Sequence, residues 1–236
     1  MNTSPSLLQS GTSMVEILVT LIILLVGLLG LAGLMVQGQR SEMESYQRVQ
    51  ALILLQDMAG RISVNRNAAT CYALTTSTAN GTPYLGTAGA GAAMTPVPAT
   101  ACTVAAITAI HSSVSAANAT LQAATAVSDM NDWHNELLGA AETSGGGNVG
   151  AMIGARGCVS YGGVGTELTD PTTGASIAGT GIYTVAIAWQ GLGETFAPTA
   201  PVNNAAAMSC GKGLYGTEAL RRIVSLTLRT ASLTSP

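Results

Sequence analysis

The sequence predicts an α+β fold, with one long N-terminal α-helix packed on a C-terminal antiparallel β-sheet domain. Three observations carry the prediction. Residues 17–36 form an unbroken apolar run in which Thr20 bears the one hydroxyl. Residues 37–64 lack proline and repeat apolar side chains with a helical period. The last third of the chain alternates apolar with small or polar residues, the period of a strand.

The elements follow in order. Residues 1–11 (MNTSPSLLQSG) are short, polar and uncharged. The run at 17–36 reaches the ~20 residues that a helix needs to cross the hydrocarbon core of a bilayer. It lacks the basic front and A-x-A-like cleavage site of a secretory signal, so a membrane span is expected. Glu16, at its mouth, is the one charged residue between positions 9 and 35. Gly27, Gly30 and Gly33 lie at a spacing that lets helices approach closely in lipid. Beyond the span, Ala51, Leu55, Met58 and Ile62 recur as one amphipathic stripe, widened by Leu54, with Gln50, Asp57 and Arg61 expected on the other side. One helix of roughly 50 residues, ~75 Å long, is expected, its first half in lipid and its second half on the soluble domain.

After Arg66 the composition changes. The stretch near 86–101 (GTAGAGAAMTPVPATA) reads as a loop. Its GTAGAG lacks the Gly-Lys-Ser/Thr ending and the preceding strand of a phosphate cradle. Residues 103–126 are Ala-rich and helix-compatible. A separate short helix is expected over 129–141, with Asp129 as its N-cap, Trp133 and Leu137 on one face, and SGGGNVG after it. GARGCVSYGG, GIYTVAIAWQG and ALRRIVSLTLRT are the expected strands. Tyr183, Val185, Ile187 and Trp189 share one face of the second. Leu220, Val224, Leu226 and Leu228 share one face of the third, which Arg222 interrupts. Short connections make the sheet antiparallel, with a face available to cover the soluble half of the helix.

Composition narrows the function. Of 236 residues only 9% are charged, the net charge is −3 and Lys212 is the single lysine, so the basic surface that nucleic acid requires is missing. Cys71, Cys102, Cys158 and Cys210 all lie beyond the apolar run and form no CxxC, a pattern suited to two disulfides in an oxidising compartment. Four cysteines allow three connectivities, of which the sequential one, Cys71–Cys102 with Cys158–Cys210, is expected. His111 and His134 have no neighbours at metal-ligand spacing, and no serine sits in a GxSxG. Asp129 and Asp132 read as helix-start residues and Trp189 as core. Asn118-Ala-Thr120 matches a glycosylation sequon, a pattern common by chance. No catalytic site, metal or cofactor is expected.

One order of residues is more specific. Gly11 is followed by Thr12, Ser13, Met14, Val15, Glu16 and then the apolar run. This order resembles the prepilin signature of the type IV pilin family. EILVTLIILLVGLLGLAGLM, with the QRSEMESYQRVQALILLQDMAGRISVNRNAA that follows shortly after it, resembles the PilV-like minor pilins, closely over about residues 9–69 and diffusely beyond. The leader departs from the usual pattern by lacking Lys or Arg, and Thr12 stands where Phe or Met is more usual.

The resemblance implies a type IV pilin-like fold and four segments. These are a leader (1–11), a transmembrane or filament-core helix (12–36), the soluble half of that helix (37–66) and a periplasmic head (67–236). It implies cleavage by a prepilin peptidase between Gly11 and Thr12, N-methylation of Thr12, and an assembly role for Glu16. The implied partners are the prepilin peptidase, other minor pilins and the major pilin, the inner-membrane assembly platform and the lipid bilayer. The same N-terminal order occurs in minor pseudopilins of type II secretion systems. A single-pass envelope enzyme or ligand-binding protein is the alternative of another class.

Overall fold

The computed structural model describes residues 13–74, 81, 84–87, 102–139, 143–148, 150, 152–162, 164–177, 180–199 and 208–230. The expected leader, Gly11, Thr12 and most of the 86–101 loop lie outside them. The chain divides into two compact units, residues 1–43 and 44–236, and helix α1 (Met14–Val64) contributes to both.

In the first unit, α1 exposes every described residue from 13 to 43. The helix is long and apolar enough to cross a membrane, and none of its most apolar window is buried within the chain. The core helix of a soluble protein would be mostly covered, so this section is built for an apolar environment that the chain itself does not supply.

In the second unit the same helix becomes one-sided. Gln47, Ala51, Leu55, Met58, Ala59 and Ile62 are its buried residues, and they include the stripe expected from the sequence. Ala51, Leu55, Met58 and Ile62 join Tyr72, Ile107, Met130, Trp133, Tyr183, Val185, Ile187 and Trp189 in one core. Full burial of a side chain the size of Leu55 or Met58 stabilises by about 1.5–3 kcal/mol.

A 3-10 segment (Arg66–Tyr72) follows α1, then the two-residue strand β1 (Leu85–Gly86), α2 (Val104–Ile110) and α3 (Ala116–Leu137). Two helical expectations change here. The Ala-rich segment 103–126 divides between α2 and α3, and its second part runs on into the expected 129–141 helix as one 22-residue helix, of which Asp129 is not the N-cap. Ser115 caps α3, its side chain accepting from the Asn118 amide. No glycine or proline interrupts 116–137, so no breaker ends the helix there, and the hydroxyls of Thr120 and Thr125 bond carbonyls one turn earlier. Asp129 and Asp132 therefore lie inside a helix and do not start one. The helix ends before Gly139, whose φ of +76° suits glycine; a Cβ there would stand 2.2 Å from the Gly150 Cα.

The hairpin β2/β3 (Thr143–Ser144, Gly147–Asn148) and the hairpin β5/β6 (Leu168–Thr169, Ser176–Ile177) are small and separate from the main sheet. That sheet has the order β1-β4-β7-β8, with β4 at Arg156–Tyr161, β7 at Ile182–Gln190 and β8 at Arg221–Arg229, and every pairing is antiparallel. The odd-numbered β7 residues from Tyr183 to Trp189 face the helices. Gly157 on β4 leaves room for α3, since a Cβ there would meet the Trp133 ring at 2.4 Å. On the opposite face the small Ala186 and Ala188 pack with Cys158, Cys210, Tyr84 and Tyr215. Leu220, expected on the last strand, belongs instead to the 3-10 turn Glu218–Leu220 that precedes it.

Candidate functional site

Two parts of the molecule bear on function. The first is the opening of α1. The amides of Glu16 and Ile17 bond the Ser13 carbonyl at 2.9 and 3.4 Å, so Glu16 lies in the first turn. A carboxylate there is favoured by the positive end of the helix dipole. Thr20 donates to the Ile17 carbonyl at 2.8 Å, which satisfies the one hydroxyl of the run within the helix, as lipid demands. At Gly27, Gly30 and Gly33 a Cβ would meet nothing within 4 Å, so no neighbour among the described residues requires these glycines. Gly11 and Thr12, the expected processing residues, lie outside the described residues.

The second part is the way the head holds its half of α1. Arg61, expected on the side away from the core, turns toward α3 and joins four carboxylates. Its Nε is 2.6 Å from Asp57, Nη1 is 3.2 Å from Asp129 and 3.6 Å from Asp132, and Nη2 is 2.9 Å from Glu136. The Tyr72 hydroxyl donates to Asp129 and accepts from Asn65 Nδ2 at 3.1 Å. Asn65 also donates to the Gln122 carbonyl at 2.8 Å, and Trp133 Nε1 donates to the Leu54 carbonyl at 3.0 Å. Burial, and then the hydrogen bond to Asp129, raises the Tyr72 phenol well above its ordinary range. The Glu136 carboxyl is also raised, by burial first and then by the Asp57 charge, against the pull of Arg61. The four carboxylates exceed what one guanidinium neutralises, and the cluster seams α3 to α1.

A second ion pair ties α1 to the sheet. Glu44 accepts from Arg222 Nη2 and from the Leu192 amide, both at 3.2 Å. Arg222, the charge that interrupts an apolar strand face, is thus the sheet's counterpart to a carboxylate on the helix. The helical spacing of Asp57 and Arg61 and the misplaced Arg222 were the sequence signals for these contacts. Their partners on α3 and α1 carried none.

The cysteines lie in the head. One disulfide joins Cys71, in the 3-10 segment, to Cys102 before α2; the other joins Cys158 on β4 to Cys210. The second holds the 208–215 segment on the outer sheet face, where the Arg156 guanidinium sits between the Tyr84 and Tyr215 rings at 5.1 and 4.6 Å. Burial raises the Tyr215 phenol to about 12, and the Arg156 charge opposes the shift. His134 Nδ1 accepts from the Gly86 amide at 2.9 Å, and burial lowers the pKa of both His134 and His111. Among the described residues no group of three or more His, Cys, Asp or Glu side chains is arranged to hold a metal ion.

These features describe a packing element and its mount. Residues 33–111 match the Tt1218-like family model, type IV pilin Tt1218. The matched stretch is about a third of the chain and runs from the apolar section of α1 through α2. It supports a type IV pilin, and the long apolar helix with its antiparallel sheet is consistent with the type IV pilin fold. No curated protein and no solved structure matches the chain. A pilin has a structural role and assembles with other pilins in a pilus. The exposed apolar section of α1 fits a membrane-anchored pilus component.

Proposed function

We propose that the chain is a PilV-like minor pilin, held in the bacterial inner membrane with its head in the periplasm and then packed into, or priming, the pilus fibre. Adhesion and twitching motility are the activities such a fibre would support. The observation that carries the reading is the 17–36 run of α1: apolar on all sides, covered by none of the described residues, and opened by the lone carboxylate of Glu16.

The mechanism is packing. A prepilin peptidase cleaves after Gly11, and the new Thr12 amine is cationic near neutral pH and is the position methylated. On the assembly platform this amine pairs with Glu16 of a neighbouring subunit and sets axial register. A carboxylate deep in the bilayer costs about 2.5–3.5 kcal/mol on insertion scales, less near the interface, which gives Glu16 a reason to find that amine. Removing one partner of a buried pair costs about 3–5 kcal/mol, enough to exclude a subunit from a fibre.

Intact-mass measurement of the membrane form tests the reading. The expected mature chain begins at Thr12, with or without one methyl group; a chain that keeps residues 1–11 refutes it. Glu16→Ala should leave cleavage intact and deplete the chain from sheared fibres at least tenfold. Normal incorporation of that variant would remove the assembly role of Glu16.

A further inference from the structure

The two edges of the main sheet are finished differently. At the β4 edge, β1 pairs with Arg156 and Gly157, the Leu74 amide bonds the Val159 carbonyl at 2.6 Å, and the Thr87 amide bonds the Ala155 carbonyl at 2.7 Å. The outward edge of β4 is thus covered from Ala155 to the Val159 carbonyl, and β1 itself is two residues long, with its Gly86 amide held by His134.

The β8 edge has no such cover among the described residues. The Gly191 amide bonds the Leu220 carbonyl at 2.8 Å, and the Gly162 amide bonds the Ile182 carbonyl at 2.9 Å. Each bond continues an antiparallel ladder, and bonded pairs alternate along such ladders. Even-numbered residues of β8 therefore bond β7, while Ile223, Ser225 and Thr227 aim both N–H and C=O outward. The strand is nine residues long, regular in register and free of proline and lysine. Ser225, Leu226 and Thr227 are exposed at its centre. Its charges, Arg221, Arg222 and Arg229, sit at its two ends, so residues 223–228 lack the charge, proline or bulge with which natural sheets usually blunt a long regular edge.

We propose that β8 is a docking edge that receives an extended strand from another subunit of the fibre, an inference that rests on the pilin function proposed above. A row of alternating donors and acceptors is matched by extended backbone, so the occupant is a strand added to the sheet. It is uncharged opposite residues 223–228. It bears a carboxylate toward Arg229, whose one hydrogen bond among the described residues is to the Thr180 carbonyl at 3.3 Å. A second copy of β8 fits less well, since antiparallel self-pairing about Ser225 sets Arg229 opposite Arg221, which is already paired with Glu218 and brings Arg229 no carboxylate.

Amide hydrogen exchange on the full chain, in detergent and recovered from sheared fibres, tests this. In detergent the Ile223, Ser225 and Thr227 amides should exchange fast while Val224, Leu226 and Leu228 are protected. In fibres the three outward amides should slow on the order of 100-fold, as amides bonded in a ladder do. Ser225→Pro removes an outward N–H and spares the β7 ladder, so it should keep the melting temperature and abolish the fibre protection. Thr227→Lys, an edge guard, serves if the proline variant does not fold. Outward amides that stay fast in fibres, or unchanged protection in a folded variant, overturn the docking edge. Protection that rises with concentration in detergent replaces the partner strand with a second copy. Absence of the chain from fibres overturns the pilin function itself, a result distinct from a fibre-borne chain with fast edge amides.

Discussion

The two sections of α1 share one helix and one set of apolar residue types, yet only one of them is buried by the described residues of the chain. From residue 13 to 43 every described side chain is exposed, whereas from Glu44 onward a stripe through Ala51, Leu55, Met58 and Ile62 is buried. The difference shows that apolar content and burial are separate properties. The second section is amphipathic, and the head supplies its cover. Within the first, residues 17–36 are apolar all round, so their cover must be lipid or other subunits.

Truncations compare the sections most directly. Leu55→Ala should cost the head about 2–5 kcal/mol in a denaturant melt in detergent, through lost burial and a cavity. Leu25→Ala should leave that melt unchanged, because Leu25 is exposed. Equal losses would abolish the contrast. Next in size is the mount of the outer sheet face. Replacing Cys158 and Cys210 together with serine should cost about 2–4 kcal/mol and free the 208–215 segment to proteolysis. A double variant as stable and as resistant as the parent would show that the disulfide contributes little.

The Arg61 seam should contribute less, because its groups are partly exposed and screened by solvent. Arg61→Met should cost about 1–2 kcal/mol near neutral pH by leaving several carboxylates facing one another. Acidification should then restore part of the loss, and a deficit that persists unchanged at low pH would mean that packing, and not charge, sets the effect. The smallest effect is that of the histidines. His134 and His111 have folded pKa values below the unfolded value of 6.5, so the unfolded chain binds these protons first. Their contribution is fully present above pH 6.5 and is lost as pH falls through 6.5 toward the folded values. Glu136 works in the opposite sense at lower pH, since its folded pKa is raised and stability is gained as pH falls through that value. His134→Gln should flatten the slope just below pH 6.5; an unchanged slope would assign it elsewhere.

Legibility followed the range of the forces. The helix stripe and the odd-numbered face of β7 were readable because local periodicity decides which side of an element is apolar. The single helix through 116–137 was not, since Asp129 mimics a cap and only a count of the missing breakers joins the two halves. Arg61 looked solvent-facing because its partners Asp129, Asp132 and Glu136 lie far along the chain. Arg222 looked like a flaw for the same reason, with Glu44 on another element.

The sequence by itself determined that this chain has a lipid-compatible helix with one carboxylate at its mouth, a soluble continuation of that helix and a strand-rich head, because apolar runs and periods are local properties. Tertiary structure decided which cysteines join, where Arg61 and Arg222 find their carboxylates, and which sheet edge is covered. Those outcomes depend on which distant segments meet, and the physical reason is that a disulfide, an ion pair or a strand edge is completed by a partner whose position no local pattern encodes.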